Sequence, residues 1–212
     1  MTLKNKKVLI TSGPTWVPID EVRVISNRSS GKMGRFLTEE FAKAGARITL
    51  LEGPGTKAVK LRATVKKFHF YAELDRLLQS ELKKKFDIIV HAAAVSDYRL
   101  RNIYRGKLPS GLSKIDLILV PTPKLINKIR KLAPTATLVG FKLEPTNALS
   151  ALRKKGLGLV RQAGCDLVVA NGLNGNQYRG CVIDRNGQLL GSASSREGVA
   201  KQLVNVLKDD LR

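Results

Sequence analysis

Short apolar runs alternate with amphipathic stretches along most of the chain, the pattern produced by strands buried on both faces and helices packed over them. Val8-Leu9-Ile10-Thr11 reads as a first buried strand, broken at Ser12-Gly13-Pro14-Thr15. Met33, Leu37, Phe41 and Ala44 recur at helical spacing, with Gly45 supplying a C-terminal cap. Arg47-Ile48-Thr49-Leu50-Leu51 then completes a βαβ unit with a parallel pair. Lys67-Phe68-His69-Phe70 predicts a third strand, and Leu74, Leu77, Leu78 and Leu82 stripe the helix after it. That helix places Glu73 and Asp75 in its first turn and Lys83-Lys84-Lys85 in its last, as the helix dipole favours. Asp87 to Ala94 is a buried strand ending in small residues, which leave room for a ligand at the carboxyl edge of a parallel sheet.

From Tyr98 to Lys114 the rhythm breaks into a polar, basic stretch with Gly106, Pro109 and Gly111. A loop of that length within a compact domain is usually functional. Leu117-Ile118-Leu119-Val120 is expected to resume the sheet, and Thr122 to cap a helix with Pro123 at its first position and Ile126 and Ile129 facing inward. Thr137 to Phe141 is a further buried strand, and Leu149, Leu152, Gly156, Leu159 and Val160 form a helical stripe weakened by its glycines. Cys165 to Asn171 is the next strand. Arg185-Asn186-Gly187, between Cys181-Val182-Ile183 and Gln188-Leu189-Leu190, signals a tight hairpin. Ser194 with Glu197 predicts a capping box for a last helix with Val199, Leu203 and Val206 inside. With no repeat or linker, the pattern implies one doubly wound α/β domain over residues 1–212, with a C-terminal antiparallel hairpin addition.

Composition narrows the function. Apolar residues at 43% of 212 are those of a globular protein, and no apolar run approaches the roughly 18–20 residues of a membrane span. The basic start, Met1 to Lys7, precedes a run too short for a signal sequence. Two cysteines, Cys165 and Cys181, lack metal spacing, so a thiol-reduced, cytoplasmic protein is expected. The net charge of +21 favours polyanionic partners. Its lysines and arginines are spread along the chain, and aromatics at 5% are too few for a stacking platform, which argues for small anions over nucleic acid.

The standard phosphate fingerprints fail. Ser29-Ser30-Gly31-Lys32-Met33 lacks the Ser/Thr that follows a P-loop lysine, and no Gly-x-Gly-x-x-Gly follows the first strand, which counts against an NAD(P)-dependent oxidoreductase. Nucleophile triads fail as well: His69 and His91 are the only histidines, no Gly-x-Ser-x-Gly occurs, and His91 reads as a satisfied core group. What remains is chemistry by positioning and charge stabilisation. Gly13, Ser30, Gly31 and Lys32, in two small-residue turns beside a helix start, could hold phosphate on backbone N–H groups. Asn27, between those turns, is a turn former or an amide donor to a developing oxyanion. Lys107 is a solvated lysine or a charge carried on a closing lid. Asp97 could accept from a sugar hydroxyl or an amine, or cap its loop.

Taken together, GPTWVPIDEVRVISNRSSGKMG, AAAVSDYR, the Gly-Lys of the loop, VGFKLE and DLVVAN resemble the phosphopantothenate–cysteine ligase (phosphopantothenoylcysteine synthetase) family, in order from Lys7 to about Leu207. The resemblance implies a Rossmann-like domain, a homodimer, and ligation in coenzyme A biosynthesis. The carboxylate of 4'-phosphopantothenate attacks the α-phosphate of a nucleoside triphosphate with Mg2+, releasing pyrophosphate, and the amine of L-cysteine then attacks the acyl-nucleotide. CTP is implied ahead of ATP. The family's critical Asn falls on Asn27 and its lid lysine on Lys107. Nucleotide contacts fall on His91, Ala92, Ala93, Asp97, Lys107, Pro123, Lys124, Leu125, Ile126 and Phe141. The family's lysines on the helix before Asp166 have no direct match in LRKKGLGLVRQAG, where Lys155 or Arg161 could replace them. Many bacterial members carry a flavin-dependent decarboxylase domain ahead of this one; the resemblance leaves that step to a separate protein here.

Overall fold

A computed structural model describes residues 2–56 and 62–210. Its spine is a twisted sheet of eight strands: β1 (Lys7–Ser12), β4 (Arg47–Glu52), β5 (Ala63–Lys67), β6 (Ile88–His91), β9 (Thr137–Glu144), β10 (Leu167–Asn174), β11 (Gln177–Asp184) and β12 (Leu189–Ala193). The spatial order is β12-β11-β10-β9-β6-β1-β4-β5. Six strands are parallel; β11 and β12 add antiparallel at one edge, the hairpin addition that the turn signal at Arg185-Asn186-Gly187 announces. From β1 the chain winds outward through β4 and β5, then returns to lay β6, β9 and β10 on β1's other side. The strand order therefore reverses between β1 and β6, where open α/β sheets bind ligands.

Helices cover both faces. Leu37 and Phe41 of α1 (Lys32–Lys43) and Val199, Leu203 and Leu207 of α5 (Arg196–Asp210) pack with Val8, Ile10, Ile48 and Val90. On the opposite face Leu74 and Leu78 of α2 (Tyr71–Glu81), Ile126 and Ile129 of α3 (Leu125–Leu132), and Leu152 and Val160 of α4 (Leu149–Ala163) pack with Leu9, Ile89, Leu138 and Val168. Alternate residues of the central strands serve the two cores, which is why those strands are mainly apolar. Gly156 has a packing role: a Cβ there would lie 2.7 Å from Ile183 Cδ1 and 3.1 Å from Ala170 Cβ, so the glycine lets α4 approach the sheet.

Several elements depart from the sequence expectation. The third strand is Ala63–Lys67, ahead of the expected 67–70, because this sheet-edge strand is largely exposed and polar while the buried Phe68 lies just beyond it. Two short ribbons sit outside the main sheet: β2 (Trp16–Pro18) pairs with β3 (Val24–Ser26), and β7 (Tyr98–Leu100) with β8 (Leu119–Pro121). Residues 117–120 thus do not resume the main sheet; Ile118 and Leu119 are exposed, as its central strands are not. Thr122 does not cap α3. Its hydroxyl donates to the Ser96 carbonyl at 2.7 Å, and the helix starts after Lys124 without a side-chain cap. The cap of α5 is Ser195 in place of Ser194, with Oγ accepting from the Gly198 N–H at 3.0 Å.

Candidate active site

At the carboxyl ends of β1, β6, β9 and β10 lies a cleft of about 950 Å³. Its wall on the β1 side is held by hydrogen bonds that continue the sheet past its strands. The Ala94 N–H donates to the Gly13 carbonyl, the Thr15 N–H to the Ala94 carbonyl, and the Ser96 N–H to Thr15 Oγ1. His91 and Thr11 are register partners, and Thr11 Oγ1 lies 2.9 Å from His91 Nδ1 while accepting from the Ala93 N–H at 3.1 Å. Burial pushes the imidazole down to about 4, so His91 is neutral near pH 7. It is both a satisfied core group and a lining residue of the cleft.

The start of α1 forms the next wall. Gly31 caps it in the left-handed region, and the first intrahelical bond runs from the Arg35 N–H to the Gly31 carbonyl. The N–H groups of Lys32, Met33 and Gly34 therefore lack helical acceptors. Gly34 permits an unusually close approach to β1: a Cβ there would fall 2.0 Å from Ser12 Oγ. The first turn has no acid, so its positive dipole end is uncompensated by the helix itself. Gly13, Ser30, Gly31 and Lys32 meet here, as the small-residue turns suggest.

Across the cleft stand the start of α3, one face of α4, and the ends of β9 and β10. His91, Ala92, Ala93, Asp97, Pro123, Lys124, Leu125, Ile126 and Phe141 all line the same cavity, together with Asn27. Lys124 Nζ and Asp97 Oδ1, both on its lining, form a 2.6 Å ion pair. Asn27 does not point a free amide into the space: Nδ2 donates to the carbonyls of Ala94 at 3.1 Å and Val95 at 3.4 Å. Lys107 is exposed and does not line the cleft. Its loop is tied to the β2–β3 connector, where the Gly106 N–H donates to Glu21 Oε1 and the Leu108 N–H to Asp20 Oδ2.

The electrostatics are one-sided. Arg28, Lys32, Lys124, Lys142, Lys155 and Arg196 line the cleft against the single carboxylate of Asp97. Low-dielectric walls focus such a field, so the cavity concentrates polyanions. Of the two residues weighed on α4, Lys155 lines the cleft and Arg161 does not. Arg28, Lys142, Asn171 and Arg196 were not singled out from the sequence. Lys142 and Asn171 lie in the carboxyl-terminal halves of β9 and β10, a positional signal that could have found them; Arg196, at the start of α5 and 4.6 Å over the Tyr178 ring, offers none. Among the described residues no cluster of three or more His, Cys, Asp or Glu side chains could hold a metal, and no helix is long and apolar enough to cross a membrane.

Known proteins share this architecture. The coenzyme A biosynthesis bifunctional protein CoaBC of Thermococcus kodakarensis is 41% identical over 177 residues, covering 81% of this chain and 42% of that protein. Its Borreliella burgdorferi counterpart is 30% identical over 220 residues, covering 97% and 53%. The chain thus spans about half the length of the curated relatives it matches. The crystal structure of the DNA/pantothenate metabolism flavoprotein from Streptococcus pneumoniae superposes with a TM-score of 0.85 at 25% identity, covering 97% of this chain and 99% of that one. The model of the DNA/pantothenate metabolism flavoprotein C-terminal domain matches residues 3–211, and the chain belongs to that family.

Proposed function

We propose that this domain is a phosphopantothenate–cysteine ligase of coenzyme A biosynthesis, acting in the cytoplasm. It activates the carboxylate of 4'-phosphopantothenate as an acyl-cytidylate, releases pyrophosphate, and transfers the acyl group to the amine of L-cysteine. The observation that carries this reading is the six-cation cleft at the strand-order reversal, lined by a helix N-terminus and by no paired nucleophile and base. Adenylate-type activation asks for that arrangement: phosphates are oriented and their charge offset, and no side chain is acylated. The nucleotide lies against His91, Ala92, Ala93, Phe141 and the start of α3. Its phosphates meet Lys124, Lys142 and Lys155, and the phosphorylated acid takes the Gly13 and Ser30–Lys32 corner.

Asn27 holds the wall at Ala94 and Val95 and, by releasing the longer bond, donates to the oxyanion that develops on the acyl carbon. Lys107 joins the triphosphate when its loop closes. With one carboxylate in the cleft, the residues fit a Mg2+ ion carried on the nucleotide's phosphates with Asp97 as its protein ligand, where it would neutralise charge on the departing pyrophosphate. A homodimer is supported by the apolar side chains exposed on and beside the two ribbons, among them Val22, Val24, Ile118 and Leu119. CTP is favoured over ATP on family likeness alone. Pyrophosphate release, measured with CTP and with ATP, with and without phosphopantothenate and cysteine, tests the reading. Release should require phosphopantothenate, turn over only with cysteine, and be faster with CTP. No release with either nucleotide would refute it.

A further inference from the structure

On the other side of the α1 N-terminus is a second cavity of about 330 Å³, lined by Ser12, Ser30, Lys32, Arg35 and Glu52 among others. It shares Ser12, Ser30, Gly31 and Lys32 with the large cleft, so the two adjoin along one stretch of chain. Glu52 ends β4 and is the register partner of Ser12. It is only 6% exposed. Its backbone carbonyl accepts from the Phe68 N–H, yet its carboxylate has neither hydrogen bond nor ion pair among the described residues. Arg35 Nε is buried without a hydrogen-bond partner, its one ion pair being the 3.7 Å contact to Glu39 Oε1.

A carboxylate on a cavity wall with no protein partner gains nothing from the fold to offset the loss of bulk water, and replacing such a group with a neutral one is commonly neutral or stabilising. Glu52 therefore adds nothing to the empty fold that would explain it. The groups around the cavity are complementary to one class of molecule. An acid is set beside a guanidinium, an ammonium and two serine hydroxyls, which matches the two opposite charges of an α-amino acid. The volume is near the lower end of ligand pockets, about 300–1,000 Å³, and suits a small ligand better than a nucleotide.

We propose that this cavity is the amino-acid subsite, with Glu52 receiving the α-ammonium of L-cysteine and Arg35 its carboxylate. The proposal rests on the ligase reading, which needs an amine presented next to, but apart from, the activated carboxyl group. The shared wall at Ser12 and Ser30 places it so.

The test separates the two half-reactions. In Glu52→Gln, loss of a charge-assisted bond should raise KM for L-cysteine about 10- to 100-fold. KM for the nucleotide and for phosphopantothenate should stay within about twofold, and cysteine-independent exchange of labelled pyrophosphate into the nucleotide should be unchanged. The melting temperature should hold or rise. Glu52→Asp, which keeps the charge, should recover part of the cysteine affinity. Arg35→Ala should weaken cysteine more than cysteamine, which has no carboxylate. A cysteine KM within twofold of wild type in Glu52→Gln would overturn the subsite, as would a parallel fall in exchange. A rise confined to the nucleotide's KM would assign the cavity to a ribose and overturn it too. Absence of exchange in the wild type would instead bring down the ligase reading, and the subsite with it.

Discussion

Gly34→Ala exposes how closely the cleft depends on one backbone approach. Alanine is the better helix former by about 1 kcal/mol, so propensity alone predicts a more stable protein. The structure predicts the reverse. The new Cβ would sit 2.0 Å from Ser12 Oγ, 2.3 Å from Ser12 Cβ and 3.4 Å from Ser12 Cα. Carbon atoms pack at about 3.5–4.0 Å, so roughly 1.2 Å of movement is needed against Ser12 Cβ, and no rotation of the hydroxyl supplies it. Ser12 is fixed in register opposite Glu52 on a strand paired on both sides, so α1 is the element that must move. Overpacking of this kind costs about 1–3 kcal/mol, leaving a net loss of up to about 2 kcal/mol, or a few degrees in melting temperature. The functional loss should be larger, because the displaced helix start carries the phosphate-facing N–H groups and a misplacement near 1 Å can cost about 100-fold in rate. Thermal melts and pyrophosphate exchange read the two effects. Adding Ser12→Gly removes the atoms at 2.0 and 2.3 Å, and the double variant should exchange faster than Gly34→Ala. Full exchange with a raised melting temperature in Gly34→Ala, or no recovery in the double variant, would refute the reasoning.

Other consequences are testable in the same preparations. Burial holds His91 at about 4 in the folded chain against about 6.5 unfolded, so between those values the unfolded state binds a proton that the folded state does not. Stability should therefore be full above pH 6.5, fall by up to about 3 kcal/mol as pH drops toward 4, and level off below. Urea midpoints across that range should show the slope in wild type and lose it in His91→Gln; an equal slope in the variant would place its source elsewhere. On α4, Lys155→Ala should raise the nucleotide KM about 10-fold while Arg161→Ala leaves it within twofold, since only Lys155 lines the cleft. Equal effects would show that general surface charge is responsible.

Elements that bury both faces of a strand were readable from the chain. Val8–Thr11, Arg47–Leu51 and Asp87–Ala94 are each mainly apolar beside a turn signal, and each contributes a strand to the sheet, the last only over Ile88–His91. The edge strand Ala63–Lys67 escaped because its partly exposed alternation resembles any polar stretch. The ribbons of Trp16–Pro18 with Val24–Ser26 and Tyr98–Leu100 with Leu119–Pro121 are three residues a side, too short for any period to register. In the cleft, residues on strand ends and on the α1 turn were legible because those positions are set by topology. Arg196 was not, since a single cation among 38, placed at a helix start, carries no local signal until the fold assembles the cleft.

The tether of the Lys107 loop bears on the closure proposed for it. Five hydrogen bonds join it to the connector: Tyr104 N–H to the Ile19 carbonyl, Glu21 N–H to the Gly106 carbonyl, Gly106 N–H to Glu21 Oε1, Leu108 N–H to Asp20 Oδ2, and Arg23 Nη2 to the Leu108 carbonyl. At about 1 kcal/mol each, freeing the loop alone would leave roughly one molecule in several thousand open to closure, a small competent fraction that would tax nucleotide affinity in proportion. Moving as one body with the β2–β3 ribbon breaks none of these bonds. That ribbon ends at Ser26, one residue before Asn27. Under the proposed closure, such a movement would carry Lys107 and Asn27 together, at the cost of the Trp16 N–H bond to the His69 carbonyl and the Asn27 bonds to Ala94 and Val95.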